Sequence, residues 1–135
     1  MLYLGKETNK MKKIINSKDA PTVIGPYSQA ILSGNTLYCS GLIAINPETG
    51  KLVVDDIGAE TKQVMKNILA VLKAAEMNFE NVVKCSIFMK DMNDYAAINE
   101  VYSKSFDCNL PAREAVQVSV LPKNVNVEIS VIAVK

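Results

Sequence analysis

Residues 56–90 read DIGAETKQVMKNILAVLKAAEMNFENVVKCSIFMK, and this stretch decides the fold. Its first part, Asp56 to Met77, predicts one amphipathic helix whose inner stripe recurs at helical spacing, at Ile57, Thr61, Val64, Ile68, Val71, Leu72 and Ala75. Its second part, Val82 to Lys90, alternates with period two and predicts a strand with one apolar face, made by Val83, Cys85, Ile87 and Met89. A long helix followed directly by a strand indicates that helices and strands share one core.

Towards the N-terminus, the pattern predicts three more strands. Ile14 and Ile15 indicate a short first strand, and Ser28 to Ser33 and Thr36 to Ala44 form two others, joined by a tight hairpin at Gly34-Asn35. A turn is expected at Asn46-Pro47-Glu48-Thr49-Gly50, with Lys51 to Val54 after it.

Towards the C-terminus, Asn93 or Asp94 is expected to cap a second helix, which bears Tyr95, Ile98, Val101 and Tyr102. Two strands follow. Ala115 to Leu121 places three valines on one face, Val116, Val118 and Val120; Val127 to Val134 sets Glu128 and Ser130 opposite an apolar face made by Val127, Ile129, Val131 and Ala133. The whole pattern predicts an α+β fold, a sheet covered by helices on one side.

The domain organisation follows from where this pattern begins. Residues 11–135 contain no linker or repeat and are expected to form a single domain, while residues 1–10 are expected to be an N-terminal extension with little core-forming pattern. Because Met11 opens a stretch that resembles a normal protein start, we hypothesise that it is the biological start or the beginning of ordered structure.

Composition excludes several kinds of chemistry. The chain has no histidine, which removes Ser-His-Asp and Cys-His catalysis and histidine-based metal sites. Three scattered cysteines, Cys39, Cys85 and Cys108, cannot build an all-thiolate zinc site and indicate a reduced, cytoplasmic protein. Fifteen basic against fourteen acidic residues give a net charge of +1, which does not favour nucleic acid or a membrane as a partner.

Five positions could still carry chemistry. Arg113 follows Pro111-Ala112 and could bind a carboxylate through its guanidinium fork, although a surface ion pair is the alternative. Glu128 lies in an apolar strand and could accept a proton from water, or it could be a structural ion pair. Tyr27 could present its phenol at a pocket or simply pack. The Ser40-Gly41 step could approach a ligand or mark a bulge, and Asn99 could bind a substrate or be solvated.

Taken together, four segments and the chain's ending resemble the RidA (YjgF-type) family from Met11 onwards. The segments are Ile24-Gly25-Pro26-Tyr27-Ser28-Gln29-Ala30, Leu37-Tyr38-Cys39-Ser40-Gly41-Leu42-Ile43, Asp91-Met92-Asn93-Asp94-Tyr95-Ala96-Ala97-Ile98-Asn99 and Pro111-Ala112-Arg113, and the ending runs from Leu121-Pro122-Lys123 to Val127-Glu128-Ile129. The resemblance implies a chorismate-mutase-like fold with a mixed six-stranded sheet and two helices on one face. It also implies a homotrimer whose sites lie in clefts between subunits.

The resemblance further implies a reaction, the hydrolysis of reactive 2-imino or enamine acids such as 2-iminopropanoate to 2-oxo acids and ammonia, which limits the damage these metabolites cause. Arg113 matches the family residue that holds the substrate carboxylate, and Glu128 matches the residue thought to position or activate water. Tyr27, Ser40 and, less directly, Asn99 match residues of the site, and backbone groups near Gly41 and Ala115 are further expected contacts. Many relatives carry a cysteine where this chain has Ala115, so thiol chemistry is not expected there. No metal or organic cofactor is required by this mechanism.

Three other functions stay open at this point. A trimer could bind small carboxylates without hydrolysis, although the presence of Arg113 favours the enzyme. An RNA-directed translation inhibitor or ribonuclease is disfavoured by the near-neutral charge and by only eight Phe plus Tyr residues. A chaperone-like surface is the third, and the residues neither support nor oppose it.

Overall fold

The computed structural model describes residues 12–135, so the predictions for residues 1–10 and for Met11 lie outside the described part. It contains six strands: β1 (Lys12–Ile15), β2 (Ala30–Ser33), β3 (Thr36–Cys39), β4 (Val82–Met89), β5 (Ala112–Gln117) and β6 (Val127–Val134). Two α-helices accompany them in this range: α1 (Ile57–Ala74) between β3 and β4, and α2 (Tyr95–Ser103) between β4 and β5.

The six strands form one mixed sheet in the order β1-β2-β3-β6-β4-β5. Every neighbouring pair is antiparallel except β4 with β5, which run parallel and are connected through α2. The predicted hairpin joins β2 to β3 through Gly34, whose φ of 59° suits a tight turn. The mixed six-stranded sheet with two helices is therefore confirmed.

Both helices pack on the same face of the sheet. The alternate residues of β6 predicted to be apolar, Val127, Ile129, Val131 and Ala133, are all buried in one cluster with Val64, Ile68 and Leu72 of α1 and Ile98 of α2. α1 begins after Asp56, whose Oδ1 accepts a hydrogen bond from the Ala59 amide at 2.7 Å and so satisfies a free donor of the first turn. The other face of the sheet, which the helices leave uncovered, is called the open face below.

The predicted inner face of β4 is wrong at its first residue. Val82 pairs with Ala133 but Lys84 pairs with Ile132, so Val83 is an extra residue in β4, a β-bulge. The bulge shifts the alternation by one residue, and as a result Val82 is buried while Val83 is 48% exposed. Cys85, Ile87 and Met89 keep the inward positions that the sequence predicts.

Several boundaries also differ from the predictions, and β2 begins at Ala30 instead of Ser28 while α1 ends at Ala74 instead of Met77. β3 ends at Cys39 instead of Ala44, and β5 spans 112–117 instead of 115–121, because its partner β4 ends at Met89. The predicted valine face is consequently interrupted, because Val116 lies in β5 and Val118 and Val120 lie beyond it, and Val116 and Val120 are both exposed. Asn93 does not cap α2; Asp94 occupies the cap position without a side-chain hydrogen bond. Over residues 12–135, neither helix has the length and apolarity to cross a bilayer.

Candidate active site

A pocket of about 410 Å³ lies beside β6, on the side away from the helices. Four of the predicted site residues line it: Tyr27, Ser40, Gly41 and Glu128. The rest of its wall is largely apolar and comes from the segment before β2, the segment after β3 and the loop before β6, with Val23, Ile24, Leu42, Ile43, Ile45 and Pro122 as its main apolar residues.

The pocket exists because the chain after β3 bulges outward. Tyr38 pairs with Ile132 and Leu42 bridges to Ile129, so three residues (39–41) of one chain segment face two (130–131) of the other. The Leu42 amide donates to Ile129 O at 2.9 Å, and the Ile129 amide donates to Leu42 O at 3.1 Å, so this bridge fixes one end of the bulge while the pairing of Tyr38 with Ile132 fixes the other.

Gly41 brings the bulged backbone directly against Glu128. A Cβ atom at Gly41 would lie 2.8 Å from both Cδ and Oε1 of Glu128, closer than a real contact allows. Gly41 therefore fits both interpretations offered by the sequence: it lies in a bulge, and its backbone closely approaches another group, which is the Glu128 carboxylate.

Ser40 and Tyr27 are placed by the segment that precedes β2. The Ser40 amide donates to Gln29 O at 2.9 Å, and Ser40 Oγ donates to Ser28 O at 2.6 Å. Gln29 is buried and its amide group bonds Ser17 and Pro21, so this segment is held firmly. Tyr27 is 51% exposed, which puts its ring at the rim of the pocket.

Glu128 is the acid of the pocket. It is half-buried, and burial raises the pKa of its carboxyl above the ordinary value of 4.5. Among the described residues that line the pocket, Lys123 is the other charged group. Within residues 12–135, no carboxylate lies within 4.0 Å of the Lys123 ammonium group, so Lys123 and Glu128 do not form an ion pair.

Arg113 lies on the opposite side of the sheet. It is in register with Cys85, which is fully buried under the helices, so the Arg113 side chain leaves β5 towards α2. Its Nη1 donates to Asn99 Oδ1 at 2.6 Å and its Nη2 donates to the Tyr95 hydroxyl at 2.8 Å. The guanidinium carbon also lies 5.5 Å from the ring centre of Tyr95 and 5.1 Å from that of Tyr102, within cation–π range.

The single chain thus holds two separate groups of predicted site residues. One group lines the pocket with Glu128; the other is Arg113 with Asn99, beside a shallow cleft that Leu110 and Pro111 also line. Ala115 lies on the helix side of β5, in register with Ile87, and packs against the main core. Asn99 is therefore bonded to Arg113 and not simply solvated, while its role at a site stays a prediction.

Sequence reasoning missed three residues of these groups. Tyr95 and Tyr102 were predicted only as packing residues of α2, although their spacing with Asn99, four and three residues apart, places all three on one face of the helix. Lys123 entered the sequence analysis only as part of the family-like ending that starts at Leu121. Within residues 12–135, no cluster of three or more His, Cys, Asp or Glu side chains could hold a metal ion.

Known proteins share this fold and much of this sequence. Residues 17–135 match the family model described as Endoribonuclease L-PSP. A RutC family protein of Pyrococcus horikoshii is 50% identical over 125 residues, which are 93% of this chain and 99% of that protein. The 2-iminobutanoate/2-iminopropanoate deaminase of Rattus norvegicus is 46% identical over 125 residues, covering 93% of this chain and 91% of the rat protein.

Solved structures agree with the sequence relatives. RidA from an Antarctic Psychrobacter species superposes with a TM-score of 0.88 at 40% identity, covering 91% of this chain and 99% of that one. TdcF of E. coli, solved with bound serine, gives a TM-score of 0.89 at 39% identity and covers 92% of this chain and 99% of that one.

The fold and the pocket define a class of small α+β proteins, in which a mixed six-stranded sheet backed by two helices carries a carboxylate in a pocket beside its open face. Within that class the matches are specific, and the chain belongs to the RidA (YjgF-type) family, whose family model is described as Endoribonuclease L-PSP.

Proposed function

We propose that this protein hydrolyses 2-imino acids and their enamine tautomers to 2-oxo acids and ammonia. The observation that carries the proposal is Glu128, a half-buried carboxylate on the wall of a largely apolar pocket, with a pKa raised by burial and with the Gly41 backbone directly against it. A carboxylate of raised pKa is a stronger base towards water than an exposed one. Deaminase names among relatives at about 45% identity support the same activity.

The second part of the proposal is that Glu128 and Arg113 meet across a subunit boundary. They point to opposite sides of the sheet in one chain, so Arg113 reaches a Glu128 pocket only if it comes from another copy. The open face supports such an assembly, because Tyr38, Val116 and Val134 are 51%, 41% and 37% exposed there. We propose the closed homotrimer that the family resemblance implies, with one site at each of its subunit boundaries.

The proposed reaction balances without a cofactor. Arg113 binds the substrate carboxylate through two parallel hydrogen bonds and fixes C2 beside a water. Glu128 accepts a proton as the water oxygen forms a bond to C2, and the C=N electron pair moves to nitrogen, which takes up a proton. The carbinolamine then releases ammonia as the C–N bond breaks and the hydroxyl becomes the carbonyl of a 2-oxo acid. Such an activity would intercept imines before they damage other proteins.

A second candidate is a trimer that binds small carboxylates without hydrolysing imines. The bound serine in the E. coli structure favours it, because serine carries the carboxylate and the C2 nitrogen of an imino acid but no hydrolysable C=N bond. Both candidates use the same pocket and the same Arg113, and they differ only in whether Glu128 activates water.

The test is to generate 2-iminopropanoate and 2-iminobutanoate in situ and to follow their loss with wild-type protein, Glu128→Gln and Arg113→Ala. We expect the wild type to accelerate the loss and Glu128→Gln to remove about a hundredfold or more of that acceleration while still binding a 2-oxo acid. A wild type that binds 2-oxo acids but accelerates neither imine would establish the binding protein instead. Cleavage of RNA by the wild type, unaffected by Glu128→Gln, would point to a different site altogether.

A further inference from the structure

We propose that Lys123 recruits the substrate: its ammonium group attracts the carboxylate of a 2-imino or 2-oxo acid into the Glu128 pocket from the open side. This inference rests on the proposed function for the identity of the substrate. Lys123 would then be a second residue, besides Arg113, that selects substrates for their negative charge. It lies in the part of the site that a single chain forms by itself.

The first support is the position of Lys123 in the pocket. Lys123 lines the same pocket as Glu128 and, among residues 12–135, contributes its only cationic side chain. In the proposed assembly Arg113 enters the site from another copy, so Lys123 is the cation that the pocket's own chain supplies against the repulsion between Glu128 and an anionic substrate. An opposite charge at the mouth offsets that repulsion and raises the rate of encounter.

The backbone of the loop supports it next. Lys123 and Asn124 both adopt left-handed conformations, with φ values of 54° and 55°, which residues other than glycine rarely do. Two consecutive residues of this kind cost free energy, and such strain persists where the surrounding structure imposes it. Here the neighbours impose it, because Leu121 and Val125 are buried in a small cluster with Ile43 on either side of the strained pair.

The hydrogen bonds that hold the loop do not use the Lys123 ammonium group. The Asn124 amide donates to Leu121 O at 2.9 Å, and Asn124 Oδ1 accepts from Lys90 Nζ at 2.8 Å, so a different lysine satisfies the loop. Within residues 12–135, Lys123 Nζ has no carboxylate within 4.0 Å. The loop therefore holds an exposed ammonium group at the rim and leaves its charge for a ligand.

The experiment measures binding of 2-oxobutanoate and of its neutral carboxamide to the full chain, at low salt and at 0.3 M NaCl. Lys123→Asn removes the charge but keeps a residue that tolerates the left-handed conformation, and Lys123→Arg keeps the charge. We expect Lys123→Asn to raise the Kd for 2-oxobutanoate about tenfold at low salt, less at high salt, and to leave the Kd of the carboxamide unchanged. Lys123→Arg should bind both as the wild type does.

Three results would overturn the inference. They are an unchanged Kd for 2-oxobutanoate in Lys123→Asn, an equal loss for the acid and the carboxamide, and a loss in Lys123→Arg as large as in Lys123→Asn. These outcomes are separate from the proposed function. If the wild type binds 2-oxobutanoate through Lys123 but hydrolyses no imino acid, recruitment stands and the hydrolysis fails.

Discussion

Glu128 combines three conditions that a general base for water needs: a wall position in a pocket, partial burial, and a backbone in contact at Gly41. Other acids of the open face are in a different state. Glu114 is exposed, and its hydrogen bond from Ser86 and the Lys84 ammonium 3.0 Å away hold its pKa below the ordinary value. The two carboxylates are thus tuned in opposite directions by their surroundings, and only Glu128 is tuned towards accepting a proton.

The pH dependence of the activity follows from that tuning. In the proposed mechanism the base form of Glu128 is the active one, and burial raises its pKa, so kcat/KM should fall as the pH drops through a midpoint above 4.5. The measurement is a pH profile of imine hydrolysis corrected for the uncatalysed rate. A midpoint at or below 4.5, or the same profile in Glu128→Gln, would show that another group controls the rate.

The same tuning predicts a stability effect at neutral pH. Since the folded protein raises the pKa of Glu128, it binds that proton more tightly than the unfolded chain does, and ionisation at pH 7 opposes folding. Glu128→Gln should therefore unfold at the same temperature as the wild type or at a higher one, measured by calorimetry at pH 7.

The matched control is Glu114→Gln. Because the pKa of Glu114 is lowered in the folded protein, its ionised carboxylate stabilises the fold at pH values above the ordinary pKa, and this stabilisation is lost as the pH falls through the lowered value. Glu114→Gln should therefore be less stable than the wild type at pH 7. A clear loss in Glu128→Gln would contradict the assigned environment of Glu128.

Gly41 gives a third prediction at this scale. In Gly41→Ala the new methyl group would displace the Glu128 carboxylate, the mobile end of a flexible side chain, so we expect a fall in kcat with a small change in stability. Gly34→Ala is the control, because Gly34 has open space around it but a φ of 59°. That variant should lose about 1 kcal/mol of stability and keep its activity. Full activity in Gly41→Ala would show that the close contact between the Gly41 backbone and Glu128 is not needed for catalysis.

At the scale of elements, α2 sets the direction of Arg113. Tyr95 and Asn99 lie one turn apart on α2 and accept hydrogen bonds from the two terminal nitrogens of the guanidinium. The helix α2 therefore orients the guanidinium group of Arg113, while β5 holds the Arg113 backbone. Tyr95 is a positioning residue in this account, because it acts through Arg113.

Tyr95→Phe tests that role. The variant keeps the aromatic ring beside the guanidinium and removes the hydrogen bond, and we expect KM for the imino acid to rise about three- to tenfold with kcat much less affected. Tyr102→Phe is the control, since its ring also lies against Arg113 but its hydroxyl does not bond the guanidinium. Equal effects of the two variants, or an unchanged KM in Tyr95→Phe, would assign no positioning role to the Tyr95 hydroxyl.

The helices and strands also show how much of the fold can be predicted from the sequence. Periodicity predicted α1 and β6 closely, because both are long and amphipathic and are buried on one face only. It misplaced Val83 and the end of β3, since each lies at a bulge, where one inserted residue reverses the alternation and only the partner strand reveals it. The bounds of β5 were missed for a similar reason: a parallel edge strand extends only as far as β4 accompanies it.

The candidate site was predicted by residue but not by arrangement. Local patterns singled out Tyr27, Ser40, Gly41 and Glu128, the family resemblance matched them to a site, and the structure brings all four to one pocket. The separation of Arg113 from that pocket could not be read from the sequence, because it depends on which side of the sheet each strand residue faces after pairing. Tyr95 was within reach of sequence reasoning, since it lies on the same helical face as Asn99.

Considering the whole molecule, one chain carries Glu128 in a pocket on one side of its sheet and Arg113 on the other, the residues proposed as base and as carboxylate-binding group. Neither group completes a site for a 2-imino acid by itself. Copies arranged around a closed symmetry axis would bring the Arg113 side of one chain to the Glu128 pocket of the next, and every boundary would then hold one complete site. In the proposed function, hydrolysis therefore occurs between chains.

Complementation tests that claim most directly. Arg113→Ala and Glu128→Gln chains, each with its own affinity tag, are co-expressed, and mixed oligomers are purified through both tags and assayed for hydrolysis of 2-iminobutanoate. Each variant alone should be inactive, whereas doubly tagged mixed trimers should restore about one third of the wild-type activity, because one boundary of the three in each mixed trimer joins an intact Arg113 to an intact Glu128. Mixed oligomers as inactive as the single variants would place both residues of each site in one chain and contradict the account.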